Sequence, residues 1–263
     1  MPNKKTPVRL GLLGFPIAHS KSPGFAAEWA LAEGISGVEY PLFETPEWPI
    51  DRQAWWEASG RPMGFNVTLP FKEQIGAWVD VWSPDAEAVG AINTVAVLPS
   101  GKWMGHNTDA DGFWESLPAP WRLALPGKGL LLGAGGAARA VHHALTSRGW
   151  TIEVVYRSQK PAWAIHTLPW DALKNHPLSG YALLVQATPL GSPAFPDVAP
   201  EMAWNTLDAS TLAVDLVYHP SPTPWMSAAS QQGATAQDGV SMLRAQSKKA
   251  WEFWKSSGVI PEI

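Results

Sequence analysis

Cysteine is absent from the 263 residues, which excludes disulfides and thiolate metal sites. Charge is scarce as well: Asp, Glu, Lys and Arg make up 16% of the chain and leave a formal net charge of -4. That balance has no basic footprint, so neither nucleic acid nor an anionic membrane is expected as a partner. No stretch approaches the roughly 18 apolar residues of a membrane helix, and the start, Met1 to Pro7, runs into only a short apolar segment. A soluble cytoplasmic protein is expected. Internal repeats and low-complexity tracts are missing, and the seven His are scattered apart from His142 and His143, so no metal site is read. What the chain does have is size and apolar content. At 263 residues and 46% hydrophobic it can bury a large core, at the length where chains divide into two domains with a cleft between them. Most of the sixteen Trp, spread along the chain, read as core filling or helix-face packing.

The stretch around which the rest is organised is Gly64-Phe-Asn-Val-Thr-Leu-Pro-Phe-Lys72. Alternation puts Asn66 and Thr68 on one face of a buried strand and Phe65, Val67 and Leu69 on the other. Lys72 then stands past the carboxyl end of that strand, where ligands sit in open α/β sheets. It is a candidate proton donor or acceptor, against the blander reading of a solvated lysine. Upstream, Arg9 to Gly14 reads as a strand, followed by a helix from roughly Gly24 to Ala32 with Pro23 in its first turn and Ser22 as N-cap. Ser20 and Ser22 thus lie near a helix N-terminus, which favours an anion such as a carboxylate, although capping alone would explain Ser22. A second strand is read over Val38 to Phe43 and a short helix over Asp51 to Ser59. A helical stretch follows from about Lys72 to Val81, and a helix from Ser83 to Gly90. Strand Ala91 to Val97 carries Asn93 at its entrance, and Pro99-Ser-Gly101 is a hairpin-type turn. Asp109 opens the next helix, as an N-terminal carboxylate commonly does. The alternation of strands and helices predicts a mostly parallel sheet.

The second domain begins at Pro126-Gly-Lys-Gly129. Leu130 to Ala140 reads as strand, glycine-rich turn and helix, with Gly133, Gly135 and Ala138 at dinucleotide-fingerprint spacing. Glycine is required there because a side chain would hold the backbone away from a pyrophosphate, whose charge the helix dipole favours. Strand Thr151 to Arg157 ends in Arg157 and Ser158, with Lys160 nearby, rather than in the acidic residue that binds a free ribose. That ending favours NADP over NAD, the alternative being a surface arginine. Tyr181 to Thr188 and Thr211 to Tyr218 read as two more buried strands, and Asp238 opens a long amphipathic helix ending near Gly258. The proline-rich segments from about Gln159 to Ser179 and Gly191 to Ser210 read as loops.

Taken in order, these motifs resemble the shikimate dehydrogenase family, which reduces 3-dehydroshikimate with NADPH. The likeness covers nearly the whole chain. It implies an N-terminal mostly parallel α/β substrate domain, 1–108 plus 240–263, and a Rossmann-type NADP domain, 109–239, with a deep cleft between. It implies Lys72 and Asp109 as the catalytic pair, with Ser20, Ser22, Asn66, Thr68, Asn93, Tyr218 and Gln246 as substrate contacts. It implies Gly133, Ala134, Gly135, Gly136, Ala137, Arg157, Ser158, Thr188, Leu216, Gly239 and Met242 as cofactor contacts. Three departures stand out. Ala26-Ala27 replace a His-Asn pair, Tyr156-Arg157-Ser158 replaces Asn-Arg-Thr, and Gln186 replaces an asparagine. The segment between Arg157 and Gln186 is short, which predicts truncation of the helix that follows the arginine. The rival readings are a quinate or shikimate dehydrogenase using NAD and a catalytically silent NADP-binding relative. A monomer or homodimer is expected.

Overall fold

The early strands are short and interrupted. In the computed structural model, which describes residues 7–261, the first predicted strand is two, β1 (Val8–Arg9) and β2 (Leu12–Gly14). After helix α1 (Ser22–Ala32) the second predicted strand is likewise split, into β3 (Val38–Glu39) and β4 (Leu42–Glu44). Pro41 lies at that break, with no N–H to give a ladder. Helix α2 (Arg52–Ala58) starts on Asp51, whose carboxylate accepts from Ala54 N, and leads to β5 (Gly64–Val67), buried throughout.

The helix expected from Lys72 to Val81 does not form. A single 3-10 turn covers Gln74–Ala77, and Val81–Trp82 is strand β6. Ile75 and Trp78, both buried, are three residues apart, the spacing of a 3-10 turn. Gly76 packs so closely on Trp82 that a Cβ would come within 2.5 Å of the indole. Helix α3 (Pro84–Val89) is closed by the Ser83 cap and by Gly90 in the left-handed region, as its sequence predicts. Strands β7 (Thr94–Val97) and β8 (Trp103–His106) form the hairpin turning at Pro99–Gly101. The six-stranded sheet runs β4-β2-β5-β7-β8-β6, beside the parallel pair β1-β3. It is mostly parallel, β7 alone running against its neighbours β5 and β8.

Helix α4 (Asp109–Ser116) and the short α5 (Ala119–Leu123) precede the second sheet. That sheet begins with β9 (Lys128–Leu132), helix α6 (Gly136–Thr146) and β10 (Thr151–Tyr156). Among the described residues no helix stands between β10 and β11, as the shortened segment predicts. Instead β11 (His166–Pro169) adds at the edge, inside a stretch that reads as loop. Strands β12 (Leu183–Gln186) and β13 (Leu212–Asp215), helix α7 (Pro224–Gln231) and β14 (Thr235–Gln237) complete it. Every pairing is parallel, and the order β11-β10-β9-β12-β13-β14 is the 3-2-1-4-5-6 arrangement of a doubly wound dinucleotide fold. The C-terminal helix α8 (Val240–Ser256) is the long amphipathic helix of the sequence.

The chain divides into two units, Met1–Gly112 with Arg244–Ile263 and Phe113–Leu243. In the first, the tryptophans that are dispersed in sequence meet in space. Trp78 lies 4.4 Å from Trp48, 5.2 Å from Trp55 and 6.0 Å from Trp103, ring centre to ring centre, on one face of the sheet. On the other side Trp251 and Trp254 of α8 pack with Leu10, Ala30 and Ala96. The Trp254 indole donates to Val95 O at 2.9 Å, so its polar edge is satisfied on burial. Gly64 is a packing requirement, since a Cβ there would sit 2.5 Å from Trp254 Nε1. In the second unit, Leu130, Leu132, Val155, Leu184 and Ala213 carry the sheet's side of a core that includes Trp225 and Tyr181.

Candidate active site

Lys72 lies just beyond β5, held by main-chain bonds on either side of the turn that follows Thr68: Phe71 N donates to Thr68 O and Ile92 N to Lys72 O. Its Nζ donates to Asp109 Oδ2 at 2.5 Å, and the two side chains are 13% and 6% exposed. Asp109 is the first residue of α4, where free N–H groups and the helix dipole favour negative charge. The cap of that helix is Asn107, whose Oδ1 accepts from Asp109 N and Ala110 N while its Nδ2 donates to Ala91 O. Asp109 is thereby freed from capping and turned to other partners. Asn93 Nδ2 donates to Asp109 Oδ1 at 2.8 Å and to Thr108 Oγ1 at 2.9 Å, and lies 3.4 Å from Gln246 Oε1. Gln246 belongs to the part of α8 in the first unit and meets α4 where Gly112 leaves room. A Cβ on Gly112 would come within 2.8 Å of Gln246 Cβ, N and Cα.

Of the remaining first-unit candidates, Asn66, Ser20 and Ser22 join this cluster through hydrogen bonds. Asn66 Nδ2 donates to Thr94 Oγ1 at 2.9 Å and to Asn93 O at 3.3 Å, and Tyr40 donates its phenol proton to Asn66 Oδ1 at 2.6 Å. Burial holds the Tyr40 phenol well above its usual range, and a hydrogen bond from Ser22 opposes that shift. Ser20 donates to Ser22 Oγ at 3.1 Å. Ser22 is not the cap its sequence suggests. Lys21 takes the cap position without a side-chain capping bond, and Ser22 enters the first turn as a buried residue. Its hydroxyl is therefore engaged with Ser20 and Tyr40 rather than with the helix. Thr68 stands one residue past β5, its N–H on Leu13 O and its methyl against Gly14. Residues Tyr40, Thr94, Asn107 and Thr108 were not legible as site residues. The one local signal among them was Asn107, an Asx residue two positions before a helix start. Nearby His106 stacks on Phe253 at 4.4 Å with Nδ1 2.8 Å from Ser83 Oγ. Burial lowers its pKa, against the pull of Asp85 and Asp111, and the stacking suits a packing role.

In the second unit the glycine turn lies between β9 and α6. Gly133 adopts φ +114, a conformation that only glycine takes readily, and a Cβ would meet Ala187 O at 3.1 Å. Gly135 caps α6 with open space within 4 Å of where its Cβ would be, and Gly136 and Ala137 open the helix. Ala134 lies within the turn. Free N–H groups beside vacant space fit a pyrophosphate. Arg157 and Ser158 are exposed at the end of β10, where a cation and a hydroxyl fit a 2′-phosphate and no carboxylate stands to bind a free ribose. Gln186 stands where an asparagine is expected. From full burial, its Oε1 accepts from Thr188 N and Oγ1 and its Nε2 donates to Leu190 O, which shapes the turn carrying Thr188. Leu216 follows β13 and presses on Gly239, where a Cβ would come within 2.2 Å of Leu216 O. Met242 is buried on α8 within this unit. Tyr218, the substrate candidate of this unit, is half-buried, and burial raises its phenol pKa. Asp215, which no reading singled out, is fully buried at the end of β13. Burial pushes its carboxyl up to about 6, against bonds from Thr223 Oγ1 and Val217 N.

The structure therefore gathers Lys72, Asp109, Asn93, Gln246, Asn66, Ser20 and Ser22 into one polar network, and assembles the glycine turn, Arg157 and Thr188 at the carboxyl ends of the second sheet. Comparison with known proteins gives three kinds of match. The family described as Shikimate dehydrogenase substrate binding domain matches residues 12–95. The shikimate dehydrogenase (NADP(+)) of Methylobacterium radiotolerans is 38% identical over 259 residues, 94% of this chain and 90% of that protein. Among solved structures, the shikimate 5-dehydrogenase of Thermus thermophilus, in complex with NADP(H) and shikimate, superposes with a TM-score of 0.80 at 33% identity, covering 97% of this chain and 95% of the other. The quinate dehydrogenase of Corynebacterium glutamicum in complex with NAD gives 0.79 at 25% identity, covering 95% and 94%.

Proposed function

The chain belongs to the shikimate dehydrogenase family, and on that premise we propose that it catalyses the reversible NADPH-dependent reduction of 3-dehydroshikimate to shikimate, in the formation of aromatic amino acids. It is an NADP-dependent oxidoreductase acting on a CH–OH group. The observation that carries the reading is the Lys72–Asp109 contact of 2.5 Å, an ammonium and a carboxylate withdrawn from water at the carboxyl end of β5.

Bound NADPH supplies the hydride that reduces the ketone carbon. The chain's own residues manage the proton and the polar substrate. Lys72 Nζ gives a proton to the carbonyl oxygen in reduction and takes it back from the hydroxyl in oxidation, and as a cation it stabilises the negative charge that develops on that oxygen. Asp109 orients the ammonium through Oδ2 and is itself fixed by Asn93 through Oδ1. Asn66, Thr68, Asn93, Asp109 and Gln246 provide hydrogen bonds for the ring hydroxyls, and Tyr218 is assigned to the substrate as well. A site built in this way discriminates strongly against an analogue that lacks a hydroxyl. Ser20 and Ser22 take the substrate carboxylate near the N-terminus of α1. The units are assigned as substrate domain and NADP domain, with Gly133 to Ala137, Thr188, Leu216, Gly239 and Met242 on the cofactor and Arg157 and Ser158 on its 2′-phosphate. The enzyme works in the cytoplasm as a monomer or homodimer. Among the described residues no helix is long and apolar enough to cross a membrane.

The test is a parallel assay of reduced-nicotinamide absorbance with shikimate or quinate and with NADP or NAD. Strong signal with shikimate and NADP alone supports the reading. Preference for quinate with NAD would assign the chain to the other activity, and cofactor binding without turnover of either acid would make it a silent relative.

A further inference from the structure

We propose that Tyr40 is a positioning residue of the substrate site, fixing the Asn66 amide so that a ligand can engage it only by donating a hydrogen bond. This rests on the functional reading above. Asn66 has two N–H donors, and both are taken, by Thr94 Oγ1 at 2.9 Å and by Asn93 O at 3.3 Å. Its Oδ1 accepts from the Tyr40 hydroxyl at 2.6 Å and keeps one further lone pair. The amide could be reversed only by turning Oδ1 onto the Asn93 carbonyl, acceptor against acceptor. What remains on Asn66 is a single acceptor of fixed direction, suited to a hydroxyl proton.

The same bonds run in one sense. Tyr40 donates to Asn66, Asn66 to Thr94, Thr94 Oγ1 to Asn93 Oδ1 at 3.1 Å, and Asn93 to Asp109 Oδ1 at 2.8 Å, where the chain ends on the carboxylate that Lys72 holds from its other side. Each link polarises the next toward the anion. Ser22 lies at the head of the chain, hydrogen-bonded to the Tyr40 phenol and to Ser20. Tyr40 thus joins the serines that take the carboxylate to the residues that take the hydroxyls. Its ring packs separately, 6.4 Å from that of Trp254, so phenylalanine preserves the packing and removes the hydroxyl alone.

The experiment compares the unaltered chain, Tyr40→Phe, Asn66→Ala and the double variant in steady-state kinetics with shikimate and NADP, with thermal unfolding of each. Loss of one hydrogen bond predicts a KM for shikimate raised by about threefold to tenfold in Tyr40→Phe, with kcat within about twofold. In the Asn66→Ala background the same change should have no further effect on KM, because the group being positioned is gone. A KM unchanged by Tyr40→Phe, or raised equally in both backgrounds, overturns the proposal. So does a fall in melting temperature without coupling to Asn66, which would make Tyr40 a packing residue. Failure of the unaltered chain to turn over shikimate overturns the functional reading instead, and is seen before any variant is compared.

Discussion

Replacing Lys72 with alanine removes the ammonium and leaves the Asp109 carboxylate in place. The pair is a 2.5 Å contact between side chains 13% and 6% exposed, so no solvent cation can readily substitute for the lysine. A positioned proton donor contributes about 10² to 10⁴ in rate, or about 3 to 5 kcal/mol of barrier. The lower figure is a floor here, because the ammonium also loses its electrostatic role at the developing oxyanion. Stability responds separately. Stripping the partner from a buried charge costs about 3 to 5 kcal/mol, but Asn93 still donates to Oδ1 and the N-terminus of α4 still favours the anion, which places Asp109 at the low end of that range. Steady-state assay with shikimate and NADP should show kcat reduced at least about 100-fold with KM little changed. Thermal unfolding should show a loss of about 3 kcal/mol, and a Lys72→Met variant, which restores the bulk of the stem, should recover part of the stability and none of the turnover. Unaltered turnover in Lys72→Ala would remove the lysine from the mechanism.

Arg157→Ala should raise the KM for NADP by roughly tenfold and leave that for NAD nearly unchanged, since only the 2′-phosphate needs a cation at the end of β10; equal effects on both cofactors would refute the assignment. Gly112→Ala places a Cβ against the backbone of Gln246, so kcat/KM for shikimate and melting temperature should fall together by an amount typical of overpacking, about 1 to 3 kcal/mol in stability; a variant matching the parent in both would show that the helices separate freely. Asp215 has a folded pKa of about 6 against an ordinary value of 3.8, raised by burial. Its contribution to stability is therefore fully present below about pH 3.8 and is lost as pH rises through about 6, by about 3 kcal/mol in all. Unfolding followed from pH 4 to pH 8 should show Asp215→Asn gaining on the parent across that window, and a constant difference would refute the shift.

Much of the fold was legible because local and tertiary preferences agree. Ser83-Pro84 and Gly90 bracket α3, Asp51 caps α2, and the consecutive apolar residues Leu130 to Leu132 belong to a strand buried on both faces. The misses fall where a segment has only one neighbour or a competing period. Edge strands β11 and β14 are half-exposed and carry no alternation, and β11 ends in a proline that an edge tolerates. The stretch after Lys72 has apolar residues at Ile75 and Trp78, which an α-helix and a 3-10 turn explain equally until Trp82 is seen to occupy the space beside Gly76. Tryptophans that look dispersed in sequence share one core because alternating strands and helices return repeatedly to the same face of the sheet.

The site was legible in its charges and opaque in its connections. Lys72 and Asp109 are 37 residues apart, and each had a sufficient local explanation: a lysine after a strand is ordinarily solvated, and a carboxylate at a helix start is ordinarily stabilised by the dipole. Ser22 was open to the same ambiguity, being a serine before a proline at a helix start, and Lys21 has the cap position instead. In each case what decides the role is that another residue occupies the cap position. Asn107 caps α4 and releases Asp109; Lys21 begins α1 and releases Ser22. A polar side chain at a helix terminus that is relieved of capping must find its hydrogen bonds elsewhere, because it is too buried to find them in water. Asp109 finds Lys72 and Asn93, Ser22 finds Ser20 and Tyr40, and those long-range bonds form the network on which the proposed chemistry depends.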